Sequence, residues 1–467
     1  MATNPLTEGV DDFVDDLLGG QPDTRPYLLG ERNQNLTHGD LREAVGAEVS
    51  LFAGAGIGPG STVALQVPPS YTQIEVLLAL WTLGAQVMLI DYRFKSAEVK
   101  VLHQLCRPQH AVHTGTAAKS LLAFRSRYEL VTQRLAGGLP ASTEHRLVQF
   151  SSGSTGVPKV IGRTARSLAE EITRFTKVDG MPGAGERVLL LSSTAHSFGL
   201  IAGLLHSLAV GAEVVFAPMM TASGIVEAAV NHRVDAIFGV PFHYELLGSI
   251  TRPPRLPGDR AVSGGELMPP EAADRFAERY GFRVGESYGT TETGVIAMDV
   301  SGALRPAVGR AAPGVDVRVR DGELEVRLER TPYLTANGQD GYRDGWFRTR
   351  DRTTVDGTGS IRLLGRSDSL VVVGGLKVDL TEVEAVLAAH PLVREAALVH
   401  DEVIKAYVSA DAEDLTVADL TAWCQDRLAD YKLPKLFRIV AALPRTPNGK
   451  LVRDPSALRT ATLAGAS

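Results

Sequence analysis

Residues 150–160 combine the side chains that proteins use to hold phosphate groups. An apolar run at 147–150, typical of a buried strand, leads into serines, a threonine and glycines. Glycine lets the backbone approach an anion closely, and hydroxyls with backbone N–H groups form a concave nest for its oxygens. The candidate ligands are Ser151, Ser152, Gly153, Ser154, Thr155, Gly156 and Lys159. This composition predicts an anion-binding loop at the end of a strand, although a flexible Ser/Gly-rich loop has a similar composition.

Two common nucleotide-binding motifs do not fit the chain. A Walker P-loop needs Gly-x-x-x-x-Gly-Lys-Ser/Thr at the start of a helix, whereas here Pro158 precedes Lys159. The glycine run at 54–60 follows a helical pattern and precedes a strand pattern, which is the reverse of a dinucleotide-binding fingerprint. We therefore predict a helix stop and a turn at 54–60.

A second cluster of polar and aromatic side chains lies at 286–294. A hard Mg²⁺ ion prefers carboxylate oxygens, a phosphate accepts from hydroxyls, and a purine packs on an aromatic face. Glu292, Thr291 and Tyr288 offer one such group each. An acidic capping turn would have a similar local composition, but the presence of the 150–160 loop in the same chain favours a nucleotide site.

The two motifs together resemble those of the adenylate-forming superfamily, which contains acyl- and aryl-CoA synthetases, peptide-synthetase adenylation domains and luciferases. The resemblance implies that Glu292 coordinates Mg²⁺ and that Thr291 contacts the adenylate phosphate. It also implies that Tyr288 stacks near the adenine, with Gly289 beside it in the nucleotide site.

A glycine pair resembles a further part of the superfamily's adenine site. Gly264 and Gly265 match the first two positions of a Gly-Gly-Ala turn that lies against the base. Glu266 stands in place of the usual small residue, so the sequence departs from the family pattern at this point.

Two later matches imply contacts with the ribose. Residues 344–351 resemble the family segment Asp-Gly-Trp-x-x-Thr-Gly-Asp, with Arg350 in place of its second glycine. Asp351 would accept hydrogen bonds from both ribose hydroxyls, a task suited to a carboxylate. Arg366, in a Gly-Arg-x-Asp segment, is implied to contact the ribose as well.

The C-terminal part resembles the family's mobile domain. The resemblance implies a hinge at Asp368, a thiol tunnel lined by the loop at 374–378, and a catalytic Lys450 at the tip of a Pro- and Asn-Gly-containing turn. The ammonium group of Lys450 would bridge the substrate carboxylate and the α-phosphate. A solvated surface lysine is the ordinary alternative.

His196 follows an apolar strand pattern at 188–191. By resemblance, His196 and Phe198 line the acyl pocket, and His196 helps to seat the carboxylate. A structural histidine is an equally good interpretation, although open parallel sheets bind ligands where strands end. Phe238 and Phe242 are interpreted either as a pocket wall or as core residues.

The order of helical and strand patterns predicts an α/β fold. We expect a large N-terminal domain of β-α-β sheets with a β-rich subdomain, at 1–367, and a small mobile α+β domain at 368–467. A β-α-β unit is predicted over 62–90, because Tyr71, Ile74 and Leu78 share one helical face between two strand patterns.

Composition excludes several other classes of function. The chain has 467 residues, 44% of them hydrophobic, and a net charge of −6, so neither a nucleic acid nor an anionic membrane is an expected partner. No signal peptide or membrane span is expected from the apolar stretches. The two cysteines lie far apart without zinc or CxxC spacing, which favours the reducing cytoplasm.

The resemblance implies an ATP- and Mg²⁺-dependent ligase. A small or aromatic carboxylic acid would be converted to an acyl-adenylate with release of pyrophosphate and then transferred to the thiol of coenzyme A. Transfer to the phosphopantetheine thiol of an acyl carrier protein, or to an amine, remains an alternative. A non-catalytic relative that only binds nucleotide is the alternative from a different class.

Overall fold

The computed structural model describes residues 13–29, 35–94, 96–115, 127–151, 158–335, 341–373, 376–410, 415–428, 432–445 and 451–464. These residues form two compact units. The first contains the described residues up to Arg318 together with Glu325–Phe347 and Val355–Arg362. The second contains Val319–Leu324, Arg348–Thr354 and the described residues from Leu363 onwards. The division at 367 and 368, and the mobility of the C-terminal part, stay predictions.

The N-terminal third alternates helices and strands. Its elements are α1 (Phe13–Gly19), β1 (Pro26–Leu29), β2 (Asn35–Thr37), α2 (His38–Gly54), β3 (Thr62–Gln66), α3 (Tyr71–Thr82), β4 (Gln86–Leu89), α4 (Ser96–Cys106), β5 (His110–Thr114), β6 (Leu130–Arg134), β7 (His145–Ser151), β8 (Lys159–Thr164) and α5 (Ala165–Phe175). The predicted helix stop and turn at 54–60 are confirmed, because α2 ends at Gly54 and β3 begins at Thr62.

The middle of the chain continues the alternation and then becomes rich in strands. Its elements are β9 (Arg187–Leu190), a π-helix (Phe198–Leu205), α6 (His206–Val210), β10 (Glu213–Val215), α7 (Ala222–Asn231), β11 (Ala236–Gly239), α8 (Pro241–Gly248), β12 (Arg260–Gly264), α9 (Pro270–Tyr280), β13 (Val284–Thr290), β14 (Gly294–Asp299), β15 (Gly309–Ala311), β16 (Val317–Arg320), β17 (Glu323–Arg327), β18 (Tyr342–Arg343), β19 (Trp346–Val355) and β20 (Ser360–Arg366).

The last elements follow a short 3₁₀ turn at Ser367–Ser369. They are β21 (Leu370–Val373), β22 (Leu376–Asp379), α10 (Leu380–Ala388), β23 (Val393–Asp401), β24 (Val403–Ala410), α11 (Val417–Gln425), β25 (Leu436–Val440) and α12 (Pro455–Ala464).

A six-stranded sheet in the first unit has the order β6-β5-β3-β4-β7-β8. β5, β3, β4 and β7 are parallel, while β6 and β8 pair antiparallel at the edges. The predicted β-α-β unit is confirmed as β3, α3 and β4, and α3 begins where the Ser70 hydroxyl accepts from the Gln73 N–H. Because Ser151 pairs with Lys159 across β7 and β8, both ends of the predicted anion loop lie at the carboxyl end of the parallel strands.

A larger sheet in the same unit contains the run β14-β13-β12-β11-β9-β10-β1. From β13 to β1 all pairs are parallel, and β14 is antiparallel to β13. Ligands bind at the carboxyl ends of such strands. The segments that follow β9, β11 and β12, and the turn that ends β13, are therefore placed where a site can form.

α5 packs against β7 and β8, the two strands that flank the predicted anion loop. The helix begins after Thr164, whose hydroxyl accepts from the Ser167 N–H, and its apolar stripe of Leu168, Ile172 and Phe175 is buried. This predicted stripe is confirmed, and burial of such a stripe is the main source of helix stability in a folded protein. No helix in the described part of the chain is long and apolar enough to cross a membrane.

The second unit has its own apolar core. β23 and β24 are antiparallel, β24 and β25 are parallel, and β21 pairs with β22 in a hairpin. α10 begins after Asp379, whose carboxylate accepts from the Thr381 N–H, and α10 and α11 supply core residues that include Val383, Leu387 and Leu420. The α/β class and the smaller α+β C-terminal part are confirmed as predicted.

Candidate active site

Lys159 opens β8, at the described end of the predicted anion loop. The segment after β17 lies along β8, because the Gly162 N–H donates to Pro332 O at 2.9 Å and the Leu334 N–H donates to Val160 O at 2.9 Å. Tyr333 thus pairs with Ile161 across a single bridge. This pairing brings the Tyr333 ring to 5.5 Å from the Lys159 Nζ, within the range of a cation–π contact.

Thr291 and Glu292 lie at the tip of the hairpin between β13 and β14. The Thr293 N–H donates to Thr290 Oγ1 at 3.2 Å, which closes the turn. Gly289 is required beneath the turn, because a side chain there would begin 2.3 Å from Gly294 O. The hairpin therefore presents both predicted functional residues half-buried at the end of β13.

Tyr333 joins the two motifs that the sequence singled out. Its hydroxyl donates to Glu292 Oε1 at 3.2 Å while its ring faces Lys159. The ring is itself fixed, since Tyr333 is 4% exposed and lies 6.2 Å from the Phe347 ring. The structure thus brings Lys159 and Glu292 together in one region of the first unit.

A buried ion pair links the strand of Lys159 to the hairpin of Glu292. Arg163, four residues after Lys159, binds Glu171 Oε2 at 2.6 Å, and both side chains are almost completely buried. Glu171 Oε1 also accepts from the Val295 N–H at 2.8 Å, three residues after Glu292. The strand of Lys159 and the hairpin of Glu292 are therefore tied to one carboxylate.

The glycine pair at the end of β12 lies against an aromatic ring. A side chain on Gly264 would begin 2.7 Å from the Phe198 ring, and Gly265 has φ +90°, which favours glycine. Phe198 stacks on Phe238 with centroids 5.7 Å apart. Phe238 is fully buried, whereas Phe242 is 47% exposed, so the interpretation of Phe242 as a core residue is wrong.

Glu286 shapes the loop beyond that glycine pair. Its Oε1 accepts from the Met268 N–H at 2.7 Å, and Arg305 lies 3.4 Å from its other oxygen. Burial raises the pKa of Glu286, although the Met268 N–H and Arg305 oppose the shift. Glu286, the first residue of the second motif, thus has a structural role: from β13 it holds the loop that contains Glu266.

His196 forms a charged cluster with two residues that follow β4. Its Nε2 lies 3.0 Å from Asp91 Oδ2, and Arg93 donates to both Asp91 oxygens at 2.9 and 2.6 Å. Burial alone would raise the pKa of Asp91, but the hydrogen bonds from Arg93 and His196 outweigh burial and hold that pKa far below its usual range. Asp91 is therefore a permanent anion that orients the His196 ring.

The backbone around His196 is held by β7. Gln149 donates to Ala195 O at 3.1 Å and accepts from the Ser197 hydroxyl at 2.7 Å. The buried side chain of Gln149 thus links the smaller sheet to the segment that carries His196.

In the second unit, Asp351 and Arg366 are brought together at 3.3 Å. Asp351 is buried, whereas the Arg366 side chain is about half exposed. Arg350 has φ +63°, the left-handed conformation of a glycine. Arg350, at the position where the family pattern has glycine, therefore adopts a conformation that favours glycine, at the cost of steric strain.

The region around the predicted hinge is ordered by Asp379. This carboxylate accepts from the Ser369 and Thr381 hydroxyls at 2.7 and 2.6 Å, and Arg352 donates to it at 2.8 Å. Burial would raise the pKa of Asp379, but these hydrogen bonds lower it. The 3₁₀ turn that contains Asp368 is thus anchored to the first turn of α10.

The loop predicted to carry Lys450 has a fixed base. Arg445 and Leu451 form a bridge, and the Val452 N–H donates to Pro444 O at 2.9 Å. Arg453 donates to both oxygens of Glu384, at 2.9 and 2.8 Å. Lys450 itself lies outside the described residues, as do Ser152, Gly153, Ser154, Thr155 and Gly156.

Glu292 fits the limited role that Mg²⁺ asks of a protein. Among the described residues no group of three or more His, Cys, Asp or Glu side chains could hold a metal ion. Mg²⁺ usually keeps water ligands and uses one or two carboxylates together with substrate phosphates. A half-buried carboxylate with one hydrogen-bonded oxygen, as Glu292 has, suits such a shared site.

Sequence reasoning missed the side chains that position the site. Tyr333, Asp91 and Glu171 were not singled out, because each acts through a residue distant in sequence. A signal existed for Asp91, which lies two residues after the second strand of the β-α-β unit ends. Tyr333 and Glu171 lie 41 and 124 residues from their partners at the hairpin and have no local motif.

Known ligases resemble the chain over nearly its full length. A sulfoacetate–CoA ligase of Cupriavidus necator is 28% identical over 485 residues, which cover 92% of this chain and 94% of the relative. A feruloyl-CoA synthase of an Amycolatopsis species is 28% identical over 460 residues, which cover 90% and 92%. The structure of the anthranilate CoA ligase AuaEII with anthranoyl-AMP has a TM-score of 0.80 at 22% identity and covers 99% of each chain, which shows a shared fold.

Two family models match the chain. The model of the AMP-binding enzyme C-terminal domain matches residues 382–450. The AMP-binding enzyme model matches residues 17–332, which is more than half of the 467 residues. The predicted adenylate-forming resemblance is confirmed, and the protein belongs to the AMP-binding enzyme family.

Proposed function

We propose that this protein, an AMP-forming acid–thiol ligase, activates a small or aromatic carboxylic acid with ATP and transfers the acyl group to coenzyme A. The observation that carries the proposal is the Lys159–Tyr333–Glu292 arrangement. In this arrangement the Lys159 ammonium lies over the buried Tyr333 ring, and the hydroxyl of that ring donates to the Glu292 carboxylate. The ligase relatives and the family match support the same reaction.

The first step joins two negatively charged reactants. A carboxylate oxygen attacks the α-phosphorus of ATP, a P–O bond forms, and the bond to pyrophosphate breaks. The enzyme must hold the reactants in line and offset the negative charge that develops. Mg²⁺ would supply charge neutralisation on the phosphates when bound.

The residues of this chain divide that task. Thr155 and Lys159 would bind the departing pyrophosphate, and Glu292 would hold the metal. Thr291 would contact the α-phosphate, and Lys450 would bridge it to the carboxylate. Other residues would contact the rest of the nucleotide: Tyr288, Gly289, Gly264 and Gly265 the adenine, and Asp351 and Arg366 the ribose.

The acid would lie beside His196 and Phe198. Asp91 keeps His196 oriented, and the stacked pair of Phe198 and Phe238 forms a rigid apolar surface. A flat or short acid suits such a surface better than a long flexible chain.

In the second step a thiol sulfur attacks the acyl carbon of the adenylate. A C–S bond forms, AMP leaves with its oxygen, and the thiol proton is released. Coenzyme A is the proposed acceptor because the full-length relatives are CoA ligases. The phosphopantetheine arm of a carrier protein presents the same reactive end, so it is the second acceptor to test.

The two cysteines of the chain, Cys106 and Cys424, are free thiols, which suits a protein of the reducing cytoplasm.

Carboxylate-dependent exchange of pyrophosphate into ATP tests the proposal. The panel should hold short sulfonated, aromatic and long-chain acids. Coenzyme A, or a carrier protein with a free phosphopantetheine thiol, is then added, and release of AMP is measured. We expect exchange with a short or aromatic acid, and near-complete loss of exchange in Lys450→Ala with an unchanged melting temperature. Absence of exchange with every acid, while calorimetry shows ATP binding, would instead indicate a nucleotide-binding relative without ligase activity.

A further inference from the structure

We infer that Tyr333 is a positioning residue. It fixes the position of the metal-binding carboxylate of Glu292 relative to Lys159 of the phosphate loop. The inference rests on the proposed function, since it takes Glu292 as the Mg²⁺ ligand and Lys159 as a pyrophosphate ligand. No motif assigned a role to Tyr333. Its position comes only from pairing with β8.

The ring and the hydroxyl of Tyr333 make separate contacts. The ring face lies 5.5 Å from Lys159 Nζ, which suits the attraction between a cation and an aromatic quadrupole. The hydroxyl, at the ring's far end, donates to Glu292 Oε1 at 3.2 Å. A carboxylate with one oxygen held in this way loses rotational freedom, and its second oxygen is directed by the same bond.

Tyr333 can perform this role because it is immobile. Backbone hydrogen bonds on either side, from Gly162 and Leu334, hold its segment against β8. Its ring packs in a small cluster with Ile161 and Phe347 and is 4% exposed. The two contacts therefore start from one rigid group, so a shift of β8 is transmitted to the Glu292 side chain.

The two contacts can be removed one at a time. Tyr333→Phe keeps the ring for Lys159 and loses the hydroxyl, whereas Tyr333→Leu loses both. Tyr342 offers a matched control in the same cluster, because its hydroxyl donates to Leu328 O at 3.1 Å and not to Glu292. Tyr342→Phe therefore loses a comparable hydrogen bond but leaves the contacts of Tyr333 with Lys159 and Glu292 unchanged.

Two readouts separate positioning from folding. The first is the affinity for ATP by calorimetry, with Mg²⁺ and with EDTA. The second is the Mg²⁺ concentration that gives half-maximal pyrophosphate exchange. Melting temperatures report any general loss of stability in each variant.

For Tyr333→Phe we expect ATP affinity in EDTA to be unchanged. The Mg²⁺ requirement should rise by about tenfold, in line with loss of a hydrogen bond to a charged group. Tyr333→Leu should also lose about fivefold in ATP affinity in EDTA, because Lys159 loses its aromatic partner. Tyr342→Phe should match wild type in both readouts.

The inference is overturned if Tyr333→Phe has the Mg²⁺ dependence of wild type, or if Tyr342→Phe changes it equally. Failure of the proposed function gives a different result. In that case wild type shows no exchange with any acid. Mg²⁺ would still strengthen ATP binding in wild type, and it would do so less in Tyr333→Phe. That difference would support the positioning role even without ligase activity.

Discussion

The carboxylate of Glu171 occupies the space where a side chain on Gly294 would begin. An ideal Cβ on Gly294 would lie 2.2 Å from Glu171 Oε2, and Gly294 has φ +70°. The turn that carries Glu292 therefore depends on a glycine because a buried carboxylate on α5 lies against it. The same carboxylate pairs with Arg163 in β8.

We expect Glu171→Gln to be strongly destabilising although it is nearly isosteric. The change leaves the buried guanidinium of Arg163 without its counter-charge, which typically costs about 3–5 kcal/mol. Denaturant unfolding monitored on the first unit measures the effect. The control is Glu170→Gln, which removes a more exposed pair with Arg174 and should cost less than about 1 kcal/mol. Equal effects of the two variants would show that the buried pair contributes no more than the exposed one.

The left-handed backbone at Arg350 predicts an unusual order of stability among variants. Arg350→Gly and Arg350→Ala both remove the guanidinium group, so their difference isolates the cost of φ +63°. We expect the glycine variant to be more stable by about 1 kcal/mol, because glycine adopts this conformation without steric penalty. Thermal melts of the two variants measure this difference in stability. An alanine variant as stable as the glycine variant would contradict strain at this position.

The contact between Gly264 and Phe198 predicts a linked effect on stability and acid binding. Gly264→Ala would place a methyl group 2.7 Å from the Phe198 ring, and overpacking of this kind costs about 1–3 kcal/mol. We expect a lower melting temperature and a higher KM for the acid.

A second substitution tests the cause of that effect. Adding Phe198→Leu to Gly264→Ala should recover part of the lost stability, because it removes the aromatic ring with which the added methyl group clashes. Gly58→Ala is the control, because Gly58 has open space around its Cβ position, and it should change stability by less than about 0.5 kcal/mol. No recovery in the double variant would mean that the added methyl group acts elsewhere.

Two buried histidines predict a loss of stability in mild acid. Burial lowers the pKa of His206 and of His243 to about 4, from an ordinary value near 6.5. Between pH 6.5 and 4 the unfolded chain binds protons that the folded chain does not, so the free energy of unfolding falls as pH falls. Each histidine can remove up to about 3 kcal/mol over that range.

Melting temperatures measured from pH 8 to pH 4.5 test this slope. His206→Gln with His243→Asn should make it shallower, while buried His38, whose pKa is also lowered to about 4, retains part of it. Any difference from wild type at pH 8 reports only lost contacts, such as the hydrogen bond that the Val240 N–H donates to His243 Nδ1. A slope that is the same in the double variant and in wild type would assign the acid sensitivity to other groups.

Local features of the fold were predictable because their causes are local. Apolar periodicity predicted α3 and α5, and glycine runs predicted the break between α2 and β3. Parallel pairing followed from the alternation of strands and helices. The partner and register of each strand were not predictable, because they depend on which apolar faces meet in space.

The same division applies to the candidate site. Motif residues such as Lys159, Glu292 and His196 were identified from composition and resemblance. Their supports were not, because Tyr333, Asp91 and Glu171 reach them across other elements. A hydrogen-bond partner is chosen by distance in space, which short-range spacing does not encode.

The sequence by itself determined the candidate chemistry of this protein: hydroxyls predicted to bind phosphate, a carboxylate predicted to bind a metal ion, an aspartate predicted to bind the ribose, and the family to which they point. Only the tertiary structure decided how that chemistry is held. It placed one tyrosine between the lysine and the glutamate, one buried carboxylate under the hairpin, and an arginine in a glycine's conformation. The physical reason is that side-chain chemistry is a property of each residue, whereas orientation and burial depend on neighbours that folding brings together.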